Sequence, residues 1–299
     1  MVYSGWLEKL SFNILFQLII FVILMIDKKN IFARLSYHAV YDDSISDAIR
    51  FASKNGFSGI QIAADSLHLS FEDKTKEDFK NIKDEAQELG IRITIHAPDT
   101  ASLVFPYSRA NKGIMSYYAD LIDFSYTIGA EIITIHPGAP STFPTDSDPV
   151  EIFPLQDIDL YKKILSFNIK TLLELAQNRV HICIENVALE PLVIEVLQNY
   201  LRNTKLGLCW DFAKTYDKKN NEIKKKTMDF MVNNLHAIKQ VHLHSIIGGK
   251  AHKVIQPGLI DFKYYLGLLD GIDVLDYCIE VRPREKAVES MNNLKKIIG

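Results

Sequence analysis

Short apolar stretches recur along the chain, and polar residues follow each of them. Eight such stretches are strand candidates: residues 31–39, 57–65, 91–98, 131–138, 180–187, 205–213, 240–246 and 277–283. Their apolar residues run continuously instead of alternating with polar ones, which is typical of parallel strands covered on both faces. The pattern therefore predicts a parallel sheet that is buried on both sides.

Amphipathic stretches separate the strand candidates. Residues 75–89, 114–130 and 161–177 carry apolar side chains three or four positions apart, as one buried helix face requires. Eight repeats of strand and then helix predict a single-domain (β/α)8 TIM barrel. The alternative is a doubly wound open sheet, which usually has a Gly-rich phosphate loop after its first strand. The chain has "LSYHAVYDDS" at that point, so the barrel is favoured.

The first 30 residues form an apolar extension, and the barrel is expected over residues 31–299. Residues 10–26 are strongly apolar, although they fall slightly short of the roughly 20 residues that a membrane span needs. Three interpretations stay open for them: a membrane anchor, a helix outside the fold, or a stretch upstream of a true start at Met25.

Composition narrows the class of protein. The chain has 299 residues, of which 47% are hydrophobic and 24% charged, as expected for a globular protein with a large core. The net charge of −3 gives no support to a nucleic-acid surface. Three cysteines, Cys183, Cys209 and Cys278, are too few for a disulfide scaffold, so we expect a cytoplasmic protein. A membrane location would require the apolar extension to act as an anchor.

Two connections between strands and helices are long. Residues 139–157 are rich in Pro, Asp and Ser, and we expect them to form an active-site loop. Residues 216–226 are highly charged. They are expected to form a solvated loop that enters a helix, with nucleic-acid contact as the alternative.

Six consecutive strand candidates end in side chains that can bind a metal ion. In a TIM barrel these ends face one common rim, where the chemistry takes place. Imidazole and carboxylate groups together suit Zn²⁺ or Mn²⁺, and a 2+ ion would also relieve the repulsion between three carboxylates. The residues concerned are His96, His136, Glu185, Asp211, His242, His244 and Glu280.

Each cysteine stands two residues before one of the three carboxylates, so it points the same way but lies deeper in the barrel. We expect Cys183, Cys209 and Cys278 to be small apolar fillers below the metal layer. A sulfur-rich metal site is the alternative.

Several of these strand ends form motifs known from one superfamily. The stretches "IHAP", "IHPGAP", "CIENV", "GLCWDFAKTYD", "VHLHS" and "IEVRP", in this order, resemble the xylose isomerase-like barrels. That superfamily includes endonuclease IV and many sugar epimerases and isomerases. The resemblance runs from about residue 31 to the C-terminus.

The resemblance implies one or two metal sites. The four-ligand site shared by both branches corresponds to Glu185, Asp211, His242 and Glu280. In endonuclease IV two further histidines hold another ion together with the bridging glutamate, and they correspond to His96 and His136.

Endonuclease IV also has a third metal, and here the chain departs from its pattern. Lys214 stands at the first ligand position, and Lys250 and His252 stand where an Asp-x-His pair is expected. Two ammonium groups would repel a metal ion, so we expect no third site. The lysines can instead hold an anionic substrate such as a sugar phosphate.

The leading hypothesis is therefore a divalent-metal-dependent sugar or sugar-phosphate isomerase or epimerase that works through an enediolate. Glu185 and Glu280 would serve as catalytic base and acid. The candidate substrate-binding residues are Lys214, His244, His252 and Arg282.

Two alternatives remain. An endonuclease IV-like phosphodiesterase acting on abasic DNA is favoured by His96 and His136, because an isomerase with one metal does not need both. The other alternative is a non-catalytic carbohydrate or anion binder on an enzyme scaffold.

Overall fold

A computed structural model of the chain describes residues 27–138, 142–143, 146, 150–151, 157–217 and 220–299. The apolar stretch 10–26 and most of the predicted active-site loop 139–157 lie outside the described residues. Within the described ranges, no helix has both the length and the apolar character needed to cross a membrane.

Eight parallel strands close into a barrel, which confirms the predicted architecture. Each strand pairs with its neighbour in the chain, and the last pairs with the first. The strands are β1 (Leu35–Ala39), β2 (Gly59–Ala63), β3 (Arg92–His96), β4 (Ile132–Ile135), β5 (His181–Glu185), β6 (Gly207–Asp211), β7 (Ile238–Leu243) and β8 (Asp276–Ile279).

Helices follow the strands and cover the outside of the barrel. They are α1 (Lys28–Ala33), α2 (Ile45–Asn55), α3 (Lys76–Glu88), α4 (Ser108–Ile128), α5 (Ile158–Ala176), α6 (Pro191–Leu201), α7 (Lys225–Asn233), α8 (Phe262–Leu268) and α9 (Arg284–Ile298). The three predicted helical stretches correspond to α3, α4 and α5. Helix α1 precedes the first strand, and α2 to α9 follow the eight strands in turn.

The first strand is shorter than the sequence pattern predicted. Ile31 lies in α1 instead, because the Asp27 carboxylate accepts a hydrogen bond from the Asn30 backbone N–H and caps that helix. The apolar run is therefore shared between a helix turn and a strand that begins at Leu35.

Local hydrogen bonds also determine where α3 begins. The Thr75 hydroxyl accepts from the Asp78 backbone N–H, and the Asp78 carboxylate accepts from the Thr75 backbone N–H, which forms a capping box. Ile82 and Ala86 on the inner face of the helix are buried against the barrel. The cap and the apolar face together orient the helix.

Polar side chains fill the middle of the barrel in a set that we call the lower layer. All of its members are buried: Ser36, Gln61, Thr94, Thr134, Gln240 and Asp276. Gln240 lies at its centre. The Gln240 Oε1 atom accepts from Gln61 Nε2 at 3.0 Å, and its Nε2 atom donates to Asp276 Oδ2 at 2.8 Å. The lower layer thus ties strands on opposite sides of the barrel together.

Short antiparallel ribbons extend the chain after β6 and β7. Tyr216–Asp217 pairs with Glu222–Ile223, so the predicted charged loop forms a small ribbon before it enters α7. Ser245–Ile247 pairs with Lys250–Lys253. Both ribbons lie on the side of the barrel where its strands end.

Candidate metal centre

The strand ends bring eight ionisable side chains together, and we call this set the upper layer. All of them are buried except His136, which is partly exposed. The members are His38, His96, His136, Glu185, Asp211, His242, His244 and Glu280. Seven of the eight were predicted from the sequence, and His38 was not.

Glu185 lies at the centre of the upper layer. Its Oε2 atom is 3.3 Å from His96 Nε2, 3.0 Å from His136 Nε2 and 3.4 Å from His242 Nδ1. Burial raises the pKa of the Glu185 carboxyl, but the charge of His242 and the hydrogen bonds from His136 and His96 lower it by more. The result is a buried, ionised carboxylate that faces three imidazoles.

A second meeting point joins His242 and Glu280. The His242 Nδ1 atom is 3.7 Å from Glu280 Oε2. Both atoms are buried, and neither has a hydrogen-bond partner among the residues that the structure describes. Since buried polar atoms are nearly always paired, these two indicate that a further partner is missing. A divalent cation fits, because imidazole nitrogen and carboxylate oxygen are its usual ligands.

In the metal-free protein, a proton on His242 supplies part of the positive charge that a metal ion would provide. Burial lowers the pKa of His242, but the Glu185 and Glu280 carboxylates raise it by more, to about 9. The imidazole is therefore protonated near neutral pH when no ion is bound.

Two of the histidines have a second polar contact, on the ring nitrogen that does not face Glu185. The His136 Nδ1 atom is 3.2 Å from the Asp99 carboxylate, and His96 Nδ1 is 2.8 Å from the Ala97 carbonyl oxygen. Both acceptors favour a hydrogen on Nδ1, so Nε2, the nitrogen that faces Glu185, is the one that would bind an ion. Sequence reasoning missed Asp99, although it stands three residues after His96 in the "IHAPDT" stretch.

Asp211 is held by a different set of contacts. Its Oδ1 atom accepts from the Ala213 backbone N–H at 2.8 Å, and its Oδ2 atom is 3.1 Å from His244 Nε2. The His252 backbone N–H donates to His244 Nδ1 at 3.0 Å, so the ring hydrogen of His244 lies on Nε2 and points to Asp211. His244, predicted to bind substrate, is completely buried and supports Asp211.

Four groups of three residues place their ligand atoms within 4.8 Å of one another. They are His96 with His136 and Glu185, His96 with His242 and Glu280, Glu185 with Cys209 and His242, and His244 with His252 and Glu280. Asp211 belongs to none of the groups found in the described part of the chain. The first group matches the predicted second ion position. The second group shares only His242 and Glu280 with the predicted four-ligand site and adds His96.

The three cysteines are buried as free thiols, and Cys209 also belongs to the third group. Burial raises the pKa of Cys183, Cys209 and Cys278, with smaller effects from neighbouring charges. Neutral thiols behave as small apolar side chains, which agrees with the filler role expected from the sequence.

Two cationic residues predicted to bind substrate reach the mouth of the barrel. The Lys214 Nζ atom is 3.7 Å from Asp211 Oδ2. Burial lowers the pKa of Lys214, but Asp211 and the other carboxylates raise it by more, to about 12. Arg282 Nη2 donates to Glu280 Oε1 at 2.8 Å, which leaves Glu280 Oε2 facing His242.

His252 also reaches the mouth. Its Nδ1 atom is 3.2 Å from the Glu280 carbonyl oxygen and 3.4 Å from Glu280 Oε2. Burial lowers the pKa of His252 to about 4, and the nearby carboxylate only partly opposes this. A neutral imidazole therefore stands beside Glu280.

His38 is the member of the upper layer that sequence reasoning missed. Its Nδ1 atom is 2.8 Å from Arg282 Nη2 and 3.4 Å from Glu280 Oε1. Burial lowers the pKa of His38 to about 3, so the ring is neutral. The signal was available, because the first strand candidate also ends in a histidine, within "LSYHA".

Comparison with known proteins agrees with this architecture. A D-tagatose 3-epimerase-like protein superposes with a TM-score of 0.70 and 18% identity, over 89% of this chain and 97% of that one. The apo form of 3-keto-D-glucoside 4-epimerase from E. coli gives 0.67 and 14%, over 88% and 98%. Endonuclease IV from Thermus thermophilus gives 0.63 and 17%, over 88% and 97%. At these identities the likeness establishes the fold.

Sequence comparison identifies the family of the chain. No curated protein sequence matches the chain. The family model described as "Xylose isomerase-like TIM barrel" matches residues 49–297, which is most of the chain. The protein therefore belongs to the xylose isomerase-like TIM barrel family.

Proposed function

We propose that the protein is a divalent-metal-dependent isomerase or epimerase of a sugar or sugar phosphate. One observation supports the proposal most directly. His242 Nδ1 and Glu280 Oε2 are buried, face each other and have no hydrogen-bond partner among the described residues. Glu185 lies beside them. Such a pair suits a cation and a substrate oxygen. The epimerases among the structural relatives support the same reaction class.

Glu185, His242 and Glu280 would hold the ion, and His244 keeps Asp211 close to them. Zn²⁺ and Mn²⁺ both accept this donor set. When bound, a divalent cation stabilises negative charge that forms on a substrate oxygen.

Two carboxylates of the chain would move the proton. Glu185 takes a proton from the carbon next to the substrate carbonyl, and the C–H electron pair becomes the double bond of an enediolate. Glu280, whose carboxyl is ionised in the free protein, would first take a proton from water and then deliver it to carbon. Arg282 holds Glu280 Oε1, so the Oε2 atom is the one that faces the substrate.

Lys214 favours this chemistry over a three-metal reaction. Its ammonium group stands 3.7 Å from Asp211, at a position where endonuclease IV relatives are expected to carry a ligand for a third ion. An ammonium repels that ion but attracts a substrate anion or hydroxyl oxygen.

Solvent deuterium incorporation tests the proposal. Protein loaded with Mn²⁺ or Zn²⁺ is incubated in D₂O with ketoses, inosose-like polyols and sugar phosphates, and mass spectrometry follows the label. We expect exchange at one carbon of at least one compound, and none with metal-stripped protein. Absence of exchange across the whole panel would count against the proposal.

A second candidate is a phosphodiesterase that cleaves abasic DNA. The convergence of His96 and His136 on Glu185 Oε2, with Asp99 behind His136, supports a second ion and hence this reaction. Incision of an abasic duplex that is lost in His136→Ala would establish it. Elemental analysis separates the candidates as well, because two zinc ions per chain favour the phosphodiesterase and one manganese ion favours the isomerase.

A further inference from the structure

His38 and Glu280 lie next to each other on neighbouring strands of the barrel. β1 pairs with β8 in parallel, and Tyr37 stands opposite Ile279, so the residues that follow them reach the same level. His38 is only 6% exposed, and its Nδ1 atom is 3.4 Å from Glu280 Oε1. The proposed reaction uses Glu280 but gives His38 no role.

One nitrogen atom of Arg282 joins the two side chains. The Arg282 Nη2 atom lies 2.8 Å from His38 Nδ1 and 2.8 Å from Glu280 Oε1. This nitrogen carries two hydrogens and cannot accept a hydrogen bond, so one hydrogen is available for each partner. His38 Nδ1 is therefore an acceptor, and the hydrogen of the neutral ring lies on Nε2.

The hydrogen-bonding contacts of the His38 ring lie on the Nδ1 side. Its Nε2 atom is buried and has no hydrogen-bond partner among the residues that the structure describes. A buried N–H group without an acceptor is unfavourable, so the ring gains little stability for the fold on that side. The contribution of the ring is the acceptor that it offers to Arg282.

A cavity of about 260 Å³ next to Arg282 contains competing carboxylates. Besides Arg282 and His38, its lining includes four acidic residues: Asp42, Asp43, Asp47 and Glu285. The Arg282 side chain is long and 28% exposed. Without an acceptor on the His38 side, the guanidinium group would be free to turn from Glu280 towards these carboxylates. The contact with His38 favours the orientation that faces Glu280.

We infer that His38 is a positioning residue, which holds Arg282 against Glu280 Oε1 and thereby keeps Glu280 Oε2 directed at His242. This inference rests on the proposed function, because that function makes Glu280 a metal ligand and a proton carrier. Glu280 Oε2 is 3.7 Å from His242 Nδ1. A carboxylate that lost its contact with Arg282 would rotate, and neither oxygen would keep that position.

Two substitutions of His38 with the same side-chain shape test the role. His38→Asn keeps an acceptor oxygen near the Nδ1 position, whereas His38→Leu has a similar branched shape and no acceptor. Crystal structures of the two metal-free variants should show Arg282 still bound to Glu280 Oε1 in His38→Asn and turned away in His38→Leu. Both variants leave a similar space, so a difference between them reports the acceptor and not the lost ring.

The kinetic consequence is measured by deuterium exchange of the Mn²⁺-loaded protein. We expect kcat to fall about 10-fold to 100-fold in His38→Leu and to remain close to the wild type in His38→Asn. KM should change little, because the defect lies in proton transfer and not in substrate binding. The exposed His236 supplies the control, because His236→Leu should have the kcat of the wild type.

Three outcomes would overturn the positioning role. The first is an intact contact between Arg282 and Glu280 in His38→Leu, and the second is an equal loss of kcat in both variants. The third needs no variant: nitrogen NMR of the wild-type ring should find the hydrogen on Nε2, and a hydrogen on Nδ1 would exclude donation from Arg282. Absence of exchange by the wild type would refute the proposed isomerase, while the structures and the NMR spectrum still decide whether His38 holds Arg282.

Discussion

The lower and upper layers occupy the same barrel but satisfy their polar atoms in different ways. In the lower layer, Asp276 Oδ2 accepts from Ser36 Oγ at 2.9 Å and from Gln240 Nε2 at 2.8 Å. In the upper layer, His242 Nδ1 and Glu280 Oε2 face each other without a hydrogen bond to any described residue. The lower layer satisfies most of its polar atoms internally, although Gln61 Oε1 and Asp276 Oδ1 have no hydrogen-bond partner among the described residues. The upper layer is the one proposed to hold an ion and a substrate. The difference shows that the barrel fixes where the side chains lie, while the residue types at each level determine which groups that level can bind.

Gln61 connects the two layers. Its Nε2 atom donates to Gln240 Oε1 at 3.0 Å and lies 3.1 Å from His242 Nε2. Its Oε1 atom is buried and unpaired within the described part of the chain. Rotation of this amide by half a turn would let Oε1 accept a hydrogen from His242 Nε2, the arrangement that frees His242 Nδ1 for a metal, but it would also remove the hydrogen bond to Gln240 Oε1.

Removal of the central carboxylate should have the largest effect. Glu185→Gln loses the charge that three histidines face, so we expect deuterium exchange to fall by at least about 10³-fold. Bound metal, measured by elemental analysis, should fall as well. The matched control is Glu174→Gln, because Glu174 is exposed on α5. Full activity in Glu185→Gln would show that the upper layer is not the active site.

Metal binding should stabilise the protein through the upper layer alone. At an ion concentration about 1,000 times the Kd, the free energy of unfolding should rise by about 4 kcal/mol. Denaturant titrations with and without Mn²⁺ or Zn²⁺ measure this rise. An equal rise in Glu185→Gln would place the ion somewhere else.

Disruption of the lower layer should cost stability and leave metal stoichiometry unchanged. Gln240→Leu removes the partner of Gln61 and one of the two hydrogen bonds to Asp276 Oδ2. We expect the free energy of unfolding to fall by about 3 kcal/mol, because buried polar atoms lose their partners. Gln87→Leu on the exposed face of α3 is the matched control. Loss of bound metal in Gln240→Leu, in a folded protein, would contradict the division into two layers.

The support behind the histidines should have a smaller effect on metal affinity. Asp99→Ala removes the acceptor of His136 Nδ1, so we expect affinity for a second ion to fall about 10-fold to 100-fold. Calorimetric titration of metal-stripped protein measures this change. Asp84→Ala on the surface of α3 should leave both titration steps unchanged.

Sequence pattern alone was enough for the barrel and for most of the upper layer. Strand periodicity and strand ends are local properties, so His96, Glu185 and Glu280 could be assigned to one rim before any contact was known. The β1 histidine, His38, was overlooked although it has the same local signature. Its partner Arg282 is 244 residues away in the chain, which no local pattern reveals.

The lower layer could not be predicted in the same way. Gln61 and Gln240 look like ordinary polar interruptions of apolar strands, and their hydrogen bond spans 179 residues. The contact of His244 with Asp211 could not be predicted for a similar reason, because the ring tautomer depends on the backbone N–H of His252. Periodicity assigns a side chain to the barrel interior, but it does not specify the partner across the barrel.

The pH dependence of metal binding gives the finest test of the upper layer. In the metal-free protein the pKa of His242 is about 9, raised by Glu185 and Glu280 against the effect of burial. A metal needs the neutral imidazole, so below pH 9 each ion must displace this proton. Affinity should therefore fall about tenfold for each pH unit below this pKa, at a cost of about 1.4 kcal/mol per unit. Calorimetry in two buffers of different protonation enthalpy should detect about one proton released per ion at about pH 8. Binding without proton release would mean that the ion bypasses His242, because the Glu185 and Glu280 carboxyls are already ionised at that pH.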